Sequence, residues 1–225
     1  MNMSRDDIKL VTVCYHSLYK MFGKDIPDVI TNRLNEELRI VISNGEADAY
    51  CMLWWIFAHC TDVMYRGTDL MYSGLKANLN YFILYLFGLT DVNPCPELLY
   101  CTNCGYIVYR QNDMEGPLYQ YLDYCPDCGE PYDDLSYYEG CDLPINKNKS
   151  VDDNRAKLLL SVIADIMKEK DILCSLSDKE VYSLSRALSI CDIGGIETIR
   201  MVVDYLVLDK VLDGKLEEYV DERYA

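Results

Sequence analysis

Two pairs of cysteines, each separated by two residues, constrain this chain more than any other feature of its sequence. The first pair is Cys101 and Cys104, and the second is Cys125 and Cys128, which begins after a gap of twenty residues. Two intervening residues allow both thiolates of a tight turn to face one ion, and a second such turn completes a tetrahedral shell. The spacing therefore predicts a four-cysteine metal site, and zinc is the ion we expect there.

Gly105 and Gly129 support this prediction because each follows the second cysteine of its pair. A left-handed backbone turn is easiest at that position without a β-carbon. Two other interpretations remain open, namely two structural disulfides or four unrelated core cysteines. We favour zinc because a closed four-thiolate site is redox-inert and suits a reducing compartment.

The composition bounds the size of the fold and the compartment. With 225 residues, half of them apolar, the chain is long enough for one large domain or two small ones. Eleven cysteines would indicate a secreted disulfide framework only in a much shorter chain, and the count is odd. The charged N-terminus lacks a signal-peptide pattern, and no uncharged apolar stretch is long enough to span a bilayer. We therefore predict a cytoplasmic protein with reduced thiols and no membrane association.

The net charge of −16, from 37 acidic and 21 basic residues, limits the possible partners. Phosphate contacts need Lys and Arg, so this balance opposes binding to DNA, RNA or anionic lipid. The imbalance is strongest around the cysteine pairs, since Arg110 is the only basic residue between Leu99 and Gly140. We expect contacts with proteins and no direct nucleic-acid binding.

Helical periodicity dominates the chain outside the cysteine pairs. Capping boxes at Ser4–Asp7 and Ser177–Glu180 mark the starts of two expected helices. In the second expected helix, we predict that Arg33, Glu37 and Arg39 lie on the solvated face. The sequence therefore indicates a mainly helical protein with one cysteine-rich insertion.

Several short motifs precede the cysteine pairs in a fixed order. They are Arg33-Leu34-Asn35-Glu36-Glu37-Leu38, then Ile42-Ser43-Asn44-Gly45, then Gly88-Leu89-Thr90-Asp91-Val92-Asn93-Pro94. This order resembles the palm of the PolC-type bacterial DNA polymerase III alpha subunit, in which a zinc-binding insertion with two cysteine pairs also follows an Asn-Pro turn. The resemblance covers roughly residues 28 to 149. It implies a palm-like core, a zinc-binding insertion and a connection with DNA replication.

The catalytic motifs of that family are not retained. Where the family carries a Gly-Ser-rich loop that approaches the nucleotide phosphates, this chain has Ser73-Gly74-Leu75-Lys76-Ala77. Where the family carries Pro-Asp-Ile-Asp, whose aspartates hold the catalytic magnesium ions, this chain has residues 141–148 with Asp142 as their one carboxylate. Phosphoryl transfer by two metal ions needs carboxylates that bridge both ions. We therefore expect a truncated, degenerate palm with no catalytic residues.

We predict an α+β, mainly helical fold: a polymerase-palm-like helical core, an inserted four-cysteine zinc ribbon and a C-terminal helical tail. The expected segments are a helical palm-like region at 1–98, the ribbon at 99–140, a linker at 141–153 and a helical region at 154–225. Two pairs of adjacent aspartates, Asp133-Asp134 and Asp152-Asp153, are expected to be turn and helix-cap residues, not replacement metal ligands.

The function that these features favour is a non-catalytic zinc-binding interaction protein, whose partner could be a replisome or polymerase component. Two alternatives remain. One is an active nucleotidyltransferase fragment of DNA replication with carboxylates in unrecognised positions. The other is an acidic DNA mimic that inhibits a basic DNA-binding protein, which the net charge of −16 suggests.

Overall fold

The computed structural model describes residues 3–23, 25–59, 81–90, 92–110, 116–120, 122–132, 136–145, 151–173, 175–191 and 195–224, with side chains described as far as Lys210. The chain forms two compact units, each made from two separate stretches of sequence. The first unit combines Met1–Asn44 with Asn78–Lys149, and the second combines Gly45–Ala77 with Ser150–Ala225. The expected segments followed chain order, whereas these units do not.

Helices account for most of the regular structure in the described residues, and the strands form one small sheet. In chain order the elements are α1 (Arg5–Phe22), α2 (Asp28–Ser43), α3 (Ala47–His59), α4 (Phe82–Leu86), β1 (Leu98–Tyr100), β2 (Ile107–Tyr109), a 3-10 helix (Leu118–Gln120), β3 (Tyr137–Tyr138), α5 (Asp153–Glu169), α6 (Asp178–Ile190) and α7 (Ile196–Tyr224). The mainly helical α+β class is therefore confirmed.

In the first unit, α1 and α2 both pack against α4. The predicted capping box of α1 is present, since the Ser4 N–H donates to Asp7 at 2.7 Å and the Asp7 N–H donates to the Ser4 hydroxyl at 3.1 Å. Leu10, Cys14 and Leu18 are fully buried at intervals of four residues, as one face of a helix requires. The amphipathic pattern of the sequence thus sets which side of α1 enters the core.

A buried carboxylate joins α2 to α4. Glu37 is fully buried, and its Oε2 accepts a hydrogen bond of 3.0 Å from the backbone N–H of Ile83 in the first turn of α4. Its Oε1 accepts a bond of 2.6 Å from Nε of Arg33. Burial raises the pKa of Glu37, although these hydrogen bonds oppose the rise. The prediction of a solvated face for Arg33 and Glu37 was wrong, because this carboxylate satisfies an otherwise uncapped helix end.

The ends of the cysteine-rich insertion are tied together at its base. The N–H groups of Cys141 and Asp142 donate to the carbonyls of Asn93 and Cys95, each at 3.0 Å. Gly140 passes so close to Cys95 that a β-carbon at position 140 would lie 2.0 Å from the Cys95 carbonyl oxygen. The two ends of the insertion therefore lie side by side, joined by hydrogen bonds, where the insertion meets the helical core.

Arg33 connects this base to α2. Its Nη1 donates a hydrogen bond of 2.6 Å to the carbonyl of Leu143. The same side chain pairs with the buried Glu37, so one guanidinium links the two structures. The position of the insertion relative to α2 and α4 is thus set by a charge-assisted contact as well as by packing.

The second unit packs α5 against α6, α3 against α6, and α7 against α5. Arg186 and Ser183 of α6 both hydrogen-bond the carboxylate of Asp48 at 2.7 Å. Asp152 caps α5 by accepting bonds from the N–H groups of Asn154 and Arg155. The interpretation of Asp152 as a cap is confirmed, whereas Asp133 and Asp134 lie outside the described residues. Among the helices described, none is both long and apolar enough to cross a bilayer.

Candidate metal centre

The first cysteine pair lies in the turn between two antiparallel strands. The sheet has the order β2-β1-β3, and Tyr100 at the end of β1 is opposite Ile107 at the start of β2. Cys101 follows β1 directly, so the hairpin turn itself holds Cys101 and Cys104. The short strands therefore hold this turn at one end of the sheet.

The two cysteine pairs adopt the same backbone conformation. The N–H of Gly105 donates to the Cys101 carbonyl at 2.8 Å, and the N–H of Gly129 donates to the Cys125 carbonyl at 2.9 Å. Both glycines have positive φ, +78° and +75°, as predicted from their places in the sequence. The chain thus forms two equivalent knuckles, each of which turns two sulfurs toward a shared centre.

All four cysteine sulfurs lie within 4.8 Å of one another. Sγ of Cys101 is 3.5 Å from Sγ of Cys128, and Sγ of Cys104 is 3.6 Å from Sγ of Cys125. A tetrahedral zinc ion with bonds of about 2.3 Å would separate its sulfurs by about 3.8 Å. These four cysteines are free thiols, so the interpretation as disulfides is not supported. The arrangement could hold one metal ion.

Backbone donors surround the sulfurs of the second knuckle. Burial opposes ionisation of Cys125, but hydrogen bonds from the N–H groups of Cys128 and Asp127 and from the side chains of Cys104 and Cys101 together lower the pKa of Cys125 to about 6. The N–H of Glu130 and the side chain of Asn103 likewise lower the pKa of Cys128. Such N–H···S contacts offset negative charge on thiolates, which a metal ligand must carry.

Cys104 shows the opposite behaviour. The N–H of Tyr106 lowers its pKa, but desolvation and the three neighbouring cysteines raise that pKa to about 12. Sulfurs this close repel one another when ionised, so one thiol keeps its proton unless a cation lies among them. A divalent cation is therefore the group that this donor set fits, and its binding would release a proton from the cluster.

A buried glutamate organises the ribbon beside the cysteines. Oε1 of Glu97 accepts hydrogen bonds from the N–H of Leu118 at 2.7 Å and from the hydroxyl of Tyr137 at 2.9 Å. Its Oε2 pairs with Arg110, the one basic residue of the cysteine-rich segment. Sequence reasoning missed Glu97, because a single glutamate before a short apolar strand gives no periodic signal.

The structure brings together the four predicted cysteines, but other predicted features cannot be located. Ser73–Ala77, which we expected from the resemblance to stand at the family's phosphate-binding loop, lies outside the described residues. The same holds for Asn146–Asn148, which we expected to lie near the family's aspartate motif. Asp142, at the base of the insertion, has a positive φ of 47°. No other group of three or more candidate metal ligands occurs in the part of the chain that the structure describes.

The fold and the site define a class of protein in which a mainly helical unit carries a four-cysteine ribbon. Comparison with known proteins adds a relationship to DNA polymerase III. The PolC-type DNA polymerase III of Latilactobacillus sakei subsp. sakei (strain 23K) is 27% identical over 144 residues, which are 63% of this chain and 9% of that protein. The Halalkalibacterium halodurans protein of the same name is 26% identical over 140 residues, 61% of this chain and 9% of its own length.

The resemblance noted in the sequence is thereby confirmed, since the PolC-type protein of Streptococcus pyogenes serotype M5 is also 27% identical, over 131 residues. These cover 58% of this chain and 8% of the relative. No protein-family model matches the chain. A large part of the chain is PolC-like, and the chain spans less than a tenth of the length of these relatives.

Replacement of Glu97 by Gln should destabilise the first unit at neutral pH. Burial opposes the shift, but the Leu118 N–H, Arg110 and Tyr137 together hold the pKa of Glu97 below its ordinary value. The ionised form therefore stabilises the fold above the ordinary pKa, and this contribution disappears as the pH falls through the lowered one. We expect a loss of about 2 kcal/mol at pH ~7, measured by urea unfolding, that shrinks toward pH ~3.

Glu130→Gln is the matched control, because Glu130 is an exposed carboxylate in the same ribbon. It should change the free energy of unfolding by less than about 0.5 kcal/mol at either pH. A Glu97→Gln effect that is equal at both pH values, or no larger than that of the control, would contradict the role assigned to the Glu97 charge.

Proposed function

We propose that this chain is a non-catalytic zinc-binding interaction protein, built on a PolC-like palm region and acting through protein contacts. The observation that carries the proposal is the cluster of Cys101, Cys104, Cys125 and Cys128 within a chain similar to PolC-type DNA polymerase III. In this proposal the metal stabilises the ribbon, and a partner protein binds to the surface of the ribbon.

Zinc is the metal that this donor set favours. Four thiolates with no carboxylate or imidazole form the closed shell of structural zinc sites, and catalytic zinc sites keep an open position. The two buried sulfurs, Cys101 and Cys125, anchor the centre, while Cys104 and Cys128 are exposed at its edge. The bound ion would supply cohesion to a ribbon with few core residues, and reducing conditions in the cytoplasm would keep the thiols available.

The palm-like assignment rests on sequence similarity. The relatives are named as DNA polymerases, and the matched stretch is at least 58% of this chain. The insertion after Asn93-Pro94 is the feature of the chain that the resemblance leads us to expect in that region. We propose that the chain retained the scaffold and the metal module of such a palm.

We propose that the chain has lost nucleotidyl-transfer activity, because of the residues it carries where the family has its catalytic motifs. Residues 141–148 contain a single carboxylate, Asp142, and a lysine at position 147. Two bridging carboxylates are required to hold the metal ions of nucleotidyl transfer, and a lysine between them would repel cations. Ser73–Ala77 likewise offers Leu75 and Lys76 where the backbone would have to approach phosphates.

Protein contacts are favoured by the described surface of the ribbon. Four tyrosines are largely exposed there: Tyr106, Tyr109, Tyr119 and Tyr124. Aromatic residues of this kind are enriched at protein interfaces. Asp123, Asp127 and Glu130 of the ribbon are also exposed, so a partner with a basic surface matches the ribbon's charge and a nucleic acid does not. We propose a replisome or polymerase component as that partner.

Substitution of one exposed sulfur tests the metal site. Cys104→Ser leaves three thiolates and an incomplete shell, so zinc affinity should fall by at least about 100-fold, more than loss of an outer contact costs. Competition with a chromophoric chelator measures this affinity in the full chain. Cys141→Ser is the matched control, since Cys141 is also an exposed thiol of the first unit. If both variants bind zinc equally well, the four-sulfur site is wrong.

A primer-extension assay tests the absence of catalysis. The full chain, with magnesium, a primed template and deoxynucleotides, should incorporate no nucleotide above the level of a reaction without protein. The reason is that the carboxylates needed to bridge two metal ions are missing. Incorporation that Asp142→Ala abolishes would show an active nucleotidyltransferase and would overturn the proposal.

A further inference from the structure

A cavity of about 540 Å³ lies in the first unit, beside the end of α1, α4 and β3. None of the four cysteines is among the described residues that line it. Its lining combines aromatic rings with charged side chains: Phe22, Tyr85 and Tyr138 with Lys20, Asp25 and Glu139. A volume of this size is within the range of known ligand pockets. We call it the α1–β3 cavity.

The aromatic side of the α1–β3 cavity is a set of packed rings. Phe22 and Tyr138 are stacked, with ring centroids 5.6 Å apart and planes inclined by 22°. Phe22 also contacts Phe82, which in turn stacks on Tyr85 with centroids 6.0 Å apart. These contacts hold the rings in place before any ligand arrives. A fixed aromatic wall of this kind attracts a cation, and a flat cation in particular can lie against it.

Two carboxylates beside this wall are held by their own backbones. The Glu139 carbonyl accepts a hydrogen bond of 2.6 Å from Nδ2 of Asn93, and the Asp25 carbonyl accepts one of 3.4 Å from the Tyr138 hydroxyl. Both residues are exposed, and neither carboxylate forms a hydrogen bond or an ion pair with any residue that the structure describes. Their positions are therefore set without the use of their charges, which stay available to a cation.

The charge of the described lining is negative. Lys20 is its one cation, against the carboxylates of Asp25 and Glu139. The chain as a whole has a net charge of −16, which adds to the negative potential at the α1–β3 cavity. A ligand that fits both the aromatic wall and this potential is planar and positively charged.

The exposure of the charged groups indicates how such a ligand arrives. Lys20, Asp25 and Glu139 are all exposed, so the α1–β3 cavity opens to solvent on its charged side. Pockets for free small molecules bury most of the ligand, whereas an open cavity can receive a side chain from the surface of another protein. Arginine suits this one better than lysine, because a guanidinium is planar, stacks on aromatic rings and pairs with carboxylates through a fork of donors.

We propose that the α1–β3 cavity receives an arginine side chain of a basic protein partner. The guanidinium contacts the aromatic wall and pairs with the carboxylates of Asp25 and Glu139. The inference rests on the proposed function for the existence of a protein partner, and it makes no use of the metal.

A blocked peptide, acetyl-Gly-Arg-Gly-amide, is the probe for this inference. In a titration of the full chain followed by NMR, it should shift the backbone amide signals of Phe22, Tyr85 and Tyr138. A dissociation constant of about 1–10 mM is expected for one side chain in an open cavity. The same peptide with citrulline in place of arginine has the shape but not the charge, so it should bind at least about 10-fold more weakly.

Variants of the charged lining test the carboxylates separately. Asp25→Asn and Glu139→Gln should each weaken binding of the arginine peptide about threefold, because each removes one exposed ion pair. Lys20→Gln should strengthen it about threefold, since it removes the competing cation. Asp123→Asn is the matched control, because Asp123 is an exposed carboxylate of the ribbon that does not line the α1–β3 cavity, and it should change nothing.

Three results would overturn the inference. They are equal binding of the citrulline peptide, carboxylate variants that behave like Asp123→Asn, and tighter binding of free arginine than of the peptide, which would show a site for a free amino acid. The metal is judged independently. If the chain binds zinc and the arginine peptide shifts no signal at the α1–β3 cavity, only this inference fails. If the chain binds no zinc and the peptide binds as expected, the metal centre of the proposed function fails and the inference stands.

Discussion

The ribbon brings four cysteine sulfurs close together, and these sulfurs repel one another when they are ionised. The stability of the ribbon depends on how that repulsion is balanced. The strands of the sheet contain two or three residues each, and few side chains are buried between them. Such a segment cannot offset the entropy of ordering its backbone by apolar burial alone. The same sulfurs that would separate as ionised thiolates become a source of cohesion when a divalent cation lies among them. In this account the ion is part of the fold.

The ribbon is also tied to the helices that precede it. Its base is closed by backbone hydrogen bonds from Cys141, Asp142 and Leu143 to the carbonyls of Asn93, Cys95 and Pro94. Arg33 then links that base to the buried Glu37, which in turn caps α4. A buried ion pair of this type adds little net stability. It favours one packing of the helices and the insertion, because a packing that separates the two side chains leaves a buried charge unpaired. The helical part of the first unit thus holds the metal module in one orientation while contributing none of its ligands.

The sequence allowed a good part of this to be predicted, for identifiable reasons. The cysteine spacing, the glycines at 105 and 129 and the capping box at Ser4 are local patterns, and a local pattern is fixed by a few neighbouring residues. Glu37 and Glu97 are different because their partners, Ile83 and Leu118, are far away in sequence. A polar residue on a helix has the same periodicity whether it faces water or a buried helix end. Tertiary contacts of this kind, like the packing of α3 against α6, carry no signature in a single sequence.

The proposed function depends on the four-cysteine cluster, and the shell of atoms around a bound metal is the part of it that can be measured most directly. X-ray absorption at the zinc edge on the purified full chain measures that shell directly. The account predicts about one zinc per chain with four sulfur neighbours at about 2.3 Å and no nitrogen or oxygen neighbour. A chain that carries no zinc, or a zinc ion bound mainly by nitrogen and oxygen atoms, would contradict it.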